Sequence, residues 1–371
     1  MNSTLNQYFA TDKAIFDLMM SGKQRLTEKV LRDLAKERGI FYSPMDSREE
    51  LIDVMSTLPH DYDNIMELMK RRRHDGRGDK TTSIILNTEI TNEEIKKVLA
   101  EYAKDVGATE DITHQKKGDK YVANIQYDEF DYSRTQLIQR QRHDAGIEFG
   151  VGNGKTTIRL PATEKAQRIV KSLKEKIEGH RKVELPEEII ELKKFNDPEA
   201  RTEFFIKLIS TMEGYRLRDV TNLKVSAGSN GNIDEDEDLD DELDNEVAAA
   251  EQEMIGVVKN MALNGKNLTS SDEYQSLRKK GFFITSISWS AEQKETSQDI
   301  ILFDAAFNDG ENGSGFKYSI RGARRYQEGQ HLKTVKHVED HEKEKLFNLL
   351  EHTARATLAQ LTIKYLPGAG S

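Results

Sequence analysis

The sequence predicts an α+β protein, an N-terminal helical module followed by two α+β domains with mainly antiparallel sheets. Three observations carry that expectation. Apolar residues recur at helical spacing, with capped starts and glycine stops, from Thr11 to Met69. From Thr81 the pattern changes to short alternating strands, with Asn153-Gly154 as the strongest hairpin signal. The run Ile233 to Glu246 then holds ten acidic residues and no basic one, and divides the chain. The expected organisation is a helical module with a basic arm over 1–80, an α+β domain over 81–182 and a helical connector over 183–228. An acidic linker over 229–250, a C-terminal α+β domain over 251–366 and a flexible tail over 367–371 complete it.

At 371 residues the chain is long enough for two or three cores. Its mean hydropathy of -0.71 and charged fraction of 32% mark a heavily solvated surface, and no stretch approaches the roughly 20 apolar residues of a membrane span. The N-terminus lacks the basic start and apolar run of a signal peptide, so the expected compartment is the cytoplasm. Cysteine is absent, which excludes a disulfide framework, a thiol nucleophile and Cys-ligated zinc. The net charge of -10 equals the charge of the acidic run, so the rest of the chain sums to about zero and is not repelled from nucleic acid.

The first helix runs from Thr11 to Met20, with Thr11 as cap, Ile15, Leu18 and Met19 inward, and Gly22 as stop. Thr27 then caps a second helix, with Leu26 and Leu31 as a hydrophobic staple and Gly39 as its end. After the link Ile40 to Pro44, Ser47 and Glu50 form a capping box opening a third helix with Leu51, Val54, Met55 and Leu58 on one face. An apolar helix ending in Gly-Ile, an extended link and a polar start before Glu-Leu-Ile resembles the SAP/HeH helix-extended-helix family of small DNA-binding modules. The resemblance covers Leu26 to Leu58, under a tenth of the chain. It implies duplex DNA as a partner, with Lys29, Arg32 and Arg48 as candidate contacts. An ordinary helical hairpin is the alternative.

A further helix from about Asp61 ends in Lys70, Arg71, Arg72, Arg73 and His74, before a turn containing Arg77. A cationic helix end complements the dipole. Three consecutive arginines exceed that need, which favours a phosphate-contacting arm.

Ser83 to Ile90 reads as a strand, and Thr91 with Glu94 as a capping box before Ile95, Val98, Leu99 and Tyr102. Tyr121, Ala123, Ile125 and Tyr127 alternate, as do Ile147, Phe149 and Val151, while Ser133 to His143 is ambiguous. Pro161 ends the strand after the hairpin, and a helix with Ala166, Ile169, Val170, Leu173 and Ile177 follows. Pro186 to Val220 reads as helical, with Asp197 and Pro198 as N-cap and first residue of a helix. Beyond the acidic run, helices over Met254 to Leu263 and Ser271 to Lys280 precede strands at Phe282 to Ser290, Asp299 to Phe307 and Phe316 to Arg321. A long leucine-bearing helix closes the fold. The order of strands and helix in the two halves hints at a duplicated unit, without any residue-level repeat.

Gly150 to Thr156 invites a phosphate-loop reading but lacks the glycine required at Phe149, and the Asn-Gly pair makes it a hairpin tip. His337, His341 and Glu344 at helical spacing are metal-ligand candidates on a run charged on every face, which favours a solvated helix start and no metal. Glu292 and Lys294 match part of a metal-dependent nuclease signature with no aspartate on a preceding strand. His143-Asp144 lacks the partners of a phosphohydrolase. Arg321, Arg324 and Arg325, interleaved with Tyr318 and Tyr326, have the composition of a nucleic-acid surface, and Arg134, Arg140 and Arg142 form a looser basic run.

These readings converge on a non-enzymatic DNA-binding protein without cofactors, a subunit of a larger DNA-processing or DNA-surveillance assembly with protein partners and no membrane. Two alternatives stay open: a metal-dependent nuclease or phosphodiesterase whose carboxylates converge only in the fold, and a scaffold that binds proteins alone.

Overall fold

A computed structural model describes residues 10–72, 80–195, 197–227, 247–258, 272–294 and 297–366. The acidic run, Arg73, Arg77 and the expected tail over 367–371 lie outside the described residues. In chain order the helices and strands begin with α1 (Asp12–Ser21), α2 (Glu28–Glu37), α3 (Arg48–Ser56), α4 (Tyr62–Arg72), β1 (Thr81–Leu86) and α5 (Asn92–Val106). There follow β2 (Glu110–Lys117), β3 (Lys120–Phe130), β4 (Arg140–Gly152), β5 (Lys155–Pro161), α6 (Glu164–Arg181), β6 (Glu187–Glu188), α7 (Pro198–Ser210) and β7 (Tyr215–Ala227). The chain continues through α8 (247–258), α9 (Asp272–Lys279), β8 (Phe282–Gln293), β9 (Ile300–Asp309), β10 (Ser314–Arg324), β11 (Tyr326–Gln327), β12 (Gln330–His331) and α10 (Asp340–Tyr365). N-terminal helices followed by an antiparallel sheet make the fold α+β. No helix among the described residues is long and apolar enough to cross a membrane.

The chain forms two compact units. The first comprises Met1–Gly78, Lys96–Gln115 and Val122–Gly146. Its helical part is set by local chemistry. Thr11 accepts from the Ala14 amide, Thr27 from Val30, and Ser47 and Glu50 exchange both bonds of a capping box. Gly39 takes φ +75°, the left-handed value that a helix stop favours. Leu18, Met19, Leu31, Ile52 and Leu68 bury together, joined by Ile138 from the loop between β3 and β4. That loop is the stretch the sequence leaves ambiguous. It forms one short helical turn, Gln136–Ile138, before β4 begins.

The second unit comprises Asp79–Ile95, Lys116–Tyr121 and Ile147–Ser371. Its strands run in the order β4-β5-β1-β10-β9-β8-β7, all antiparallel, with β6 also on β1. Asn153 and Gly154 both take positive φ between Gly152 and Lys155, as a tight hairpin requires. Thr81 pairs with Tyr318, so the strands of the 81–182 and 251–366 segments share one sheet. Phe204, Phe205, Trp289, Phe303 and Tyr318 form the centre of its core, with α7 packed on β8 and α10 on α7 and β10.

The helical reading of Pro186 to Val220, and with it the helical connector over 183–228, is corrected in part. Only α7 is helical there, whereas β6 and β7 are strands. Gly214 at φ +75° turns the chain after α7. The inward residues of β7 are Leu217, Val220, Leu223 and Val225, and bulges between Leu217 and Asp219 and between Val220 and Asn222 account for the three-residue steps. Those steps imitate helical spacing and hide a strand.

Candidate nucleic-acid interface

In the first unit α2 and α3 are joined by a link without helix or strand. Residues 40–47 carry no helix or strand, so their carbonyls need partners from side chains or water. Arg32 supplies three of them. Its guanidinium donates to the carbonyls of Ser43, Pro44 (3.2 Å) and Asp46 (2.6 Å), and pairs with Glu28 at 2.7 Å. Arg48 does the same for the preceding corner, donating to Leu26 O (3.0 Å) and Met19 O (2.5 Å). The planar fork of five donors suits arginine to this work. Both guanidiniums are thereby engaged with the module's own backbone, and both side chains stay partly exposed. Lys29 and Lys36 on α2 and Lys70 at the end of α4 remain exposed. Arg71 pairs with Glu67 one turn back at 2.7 Å, on the surface, where such a pair contributes little. The side chain of Arg72 lies outside the described residues with Arg73 and Arg77. The looser basic run is paired throughout, with Arg134 on Asp131, Arg140 on Asp128 and Arg142 on Asp111.

In the second unit the expected aromatic-arginine surface lacks one of its rings. Tyr318 is fully buried in the core. Arg325 donates to both oxygens of Glu342 (2.9 and 2.6 Å) and to Asp299 (2.8 Å), which outweighs its partial burial and raises its pKa. It clamps the start of α10 to the loop before β9. Arg321 lies 3.9 Å from Asp304, and Arg324 is exposed.

His337, His341 and Glu344 do not share a helical face. The Ala323–Lys336 bridge keeps the chain extended up to Lys336, and α10 starts only at Asp340. His341 pairs with Glu339 and Glu344 with Lys120. Glu292 is held by Arg216 (2.9 Å) and Arg218 (3.5 Å).

One site in the second unit was not expected. A cleft of about 720 Å³ opens over the β4–β5 hairpin and α10. In it Lys120 bonds Glu148 (3.1 Å) and Glu344 (2.7 Å), and Arg159 donates to Glu351 (2.8 Å) and Asn348 (2.8 Å). The Tyr318 hydroxyl donates to the same Glu351 oxygen. Burial opposes the Arg159 charge, but Glu351 and Tyr318 outweigh it and hold its pKa above the ordinary arginine value, whereas burial pushes the Tyr318 phenol well up. Arg355 donates to Ser83 (2.9 Å) and lies 3.9 Å from Glu351, too little to offset burial, which lowers its pKa. Four of the cleft's carboxylates, Glu148, Glu188, Glu344 and Glu351, are thus tied to the chain's own cations. Among the described residues no three acids or histidines group as metal ligands. The sequence carried a signal for this network, charges inside apolar runs: Arg159 between Ile158 and Leu160, and Glu351 beside Leu350 with Arg355 one turn on beside Ala354.

No model of a known protein family matches this chain, and no curated protein is similar to it in sequence.

Proposed function

We propose that the chain is a non-enzymatic DNA-binding protein, one subunit of a larger DNA-processing or DNA-surveillance assembly, whose SAP-like N-terminal module meets duplex phosphates. The observation that carries this reading is the order of α2, a non-helical link and α3, with the link held by Arg32, the corner before α2 held by Arg48, and Lys29, Lys36 and Lys70 left exposed. Helices held in place by these bonds present their cations without first having to order them. Twelve lysines and arginines stand against twelve acids over residues 1–73, so long-range attraction is weak. Binding then rests on local phosphate contacts by Lys29, Lys70 and the Arg71 to Arg73 run, and it is blind to sequence. Exposed Phe41 (77%) and Met45 (89%) in the link are apolar surface for a protein partner.

The test is fluorescence anisotropy of a labelled duplex with the full chain from 50 to 200 mM salt, using a triple Arg71→Ala, Arg72→Ala, Arg73→Ala variant. The log-log salt slope should fall by roughly 0.9 for each lost contact, equally for unrelated duplexes. An unchanged slope, or a loss confined to one sequence, rejects the arm. Absence of salt-dependent binding favours the protein scaffold, and magnesium-dependent cleavage favours the nuclease.

A further inference from the structure

We infer that Phe130 and Tyr132, on the first unit, form a stacking site for an unpaired nucleobase. The inference rests on the nucleic-acid reading above and names the form of nucleic acid that the unit takes.

The two rings are 51% and 80% exposed, with centroids 6.2 Å apart and planes 20° from parallel. Such faces in water are costly to maintain unless something covers them. The segment is also held in place. Asp131 accepts from the Ser133 amide (3.1 Å) and hydroxyl (2.5 Å) and from Arg134 (2.6 Å), while its own amide donates to Gln139 O (2.8 Å). Eight residues after Phe130, Ile138 is buried in the core of the helical module. The rings are therefore presented on an anchored loop in the same unit as Lys29 and Arg71, which lowers the ordering cost of a ligand.

A pocket of about 390 Å³ lies beside them, lined by both rings and by Glu129, Arg134, Gln141 and His143. This is at the small end of ligand pockets, suited to one base and too small for a helix. The character of the rim decides the occupant. An apolar side chain from a protein would strip water from these polar groups and pair with none of them. A base offers a ring face to the aromatics and donors and acceptors along its edge. Gln141 donates to Ile138 O (3.4 Å) and keeps its amide oxygen for such an edge, and Glu129, one oxygen of which lies 3.5 Å from His143 Nε2, has its second oxygen to accept from an exocyclic amino group. Arg140, paired with Asp128, lies 6.0 Å from the Phe130 ring and holds the base of the platform. Only an unpaired base can enter, because in a duplex both faces are covered by neighbours.

The test places 2-aminopurine, which bears an exocyclic amino group, in a single-stranded overhang on a labelled duplex, and compares it with the fully paired duplex. With the full chain the overhang probe should be quenched and the paired probe unaffected. Tyr132→Ala, at a highly exposed position, should abolish the quench and weaken overhang binding about tenfold or more, with duplex affinity within twofold of the parent. Tyr132→Phe should retain both. Duplex binding without overhang quenching overturns the stacking site and leaves the duplex reading standing. Quenching that depends on Tyr132, without duplex binding, does the reverse. Equal losses for overhang and duplex in Tyr132→Ala show a backbone contact and overturn stacking.

Discussion

Replacing Arg159 with Met tests the buried network of the second unit. Arg159 and Glu351 have side chains 8% and 5% exposed, 2.8 Å apart, with the Tyr318 hydroxyl on the same carboxylate oxygen and Phe347 5.3 Å from the guanidinium. Methionine fills the space but leaves Glu351 buried with only Tyr318 and Arg355, 3.9 Å away, to offset its charge. Breaking one side of a buried pair costs about 3–5 kcal/mol. With a urea m-value of about 3 kcal/mol/M for a unit of this size, the midpoint should fall by about 1–1.7 M. The single tryptophan makes this measurable in the second unit alone. Trp289 is buried in β8 against Phe303, so its fluorescence follows that unit and not the helical module. Replacing Glu351 as well, with Met at both positions, removes the orphaned charge and should recover much of the loss. A midpoint within about 0.3 M of the parent for Arg159→Met, or losses that simply add in the double variant, would refute the claim that these charges depend on one another.

Two further outcomes follow from local geometry. Ser47→Ala removes the oxygen that accepts the Glu50 amide at the start of α3 and should cost about 1 kcal/mol, read as faster amide exchange in the first turn of α3. Glu94 is held down to about 2, chiefly by the hydrogen bond from Arg181. A carboxylate with a depressed folded pKa contributes stability above its unfolded value of about 4.5, and that contribution is lost as pH falls toward 2. Glu94→Gln should therefore flatten the acid limb of a Trp289-monitored pH titration between 4.5 and 2, and an unaltered limb would remove the pair from the acid response.

Local rules were legible wherever one short stretch contains both cause and effect. The caps at Thr11, Thr27 and Ser47, the glycine stop at Gly39 and the Asn153-Gly154 hairpin depend on groups within a few residues of each other. Where a bulge alters the period, as in β7, the same rules mislead. Arginine roles were less legible. Composition marks Arg32, Arg48 and Arg325 as cations for a partner, but whether a guanidinium faces solvent depends on which carbonyls and carboxylates the fold brings to it.

The sequence by itself determined the α+β class, the capped helices, the hairpin and the absence of cysteine chemistry, because propensity, capping and alternation act over neighbouring residues. Only the tertiary structure decided that β1 pairs β10, that Arg159 meets Glu351 192 positions away and that Ile138 anchors the Phe130–Tyr132 loop to the helical module. Each of these joins residues far apart in the chain. Such a contact is selected by shared burial and charge neutralisation in three dimensions, and neither leaves a spacing in the sequence to be read.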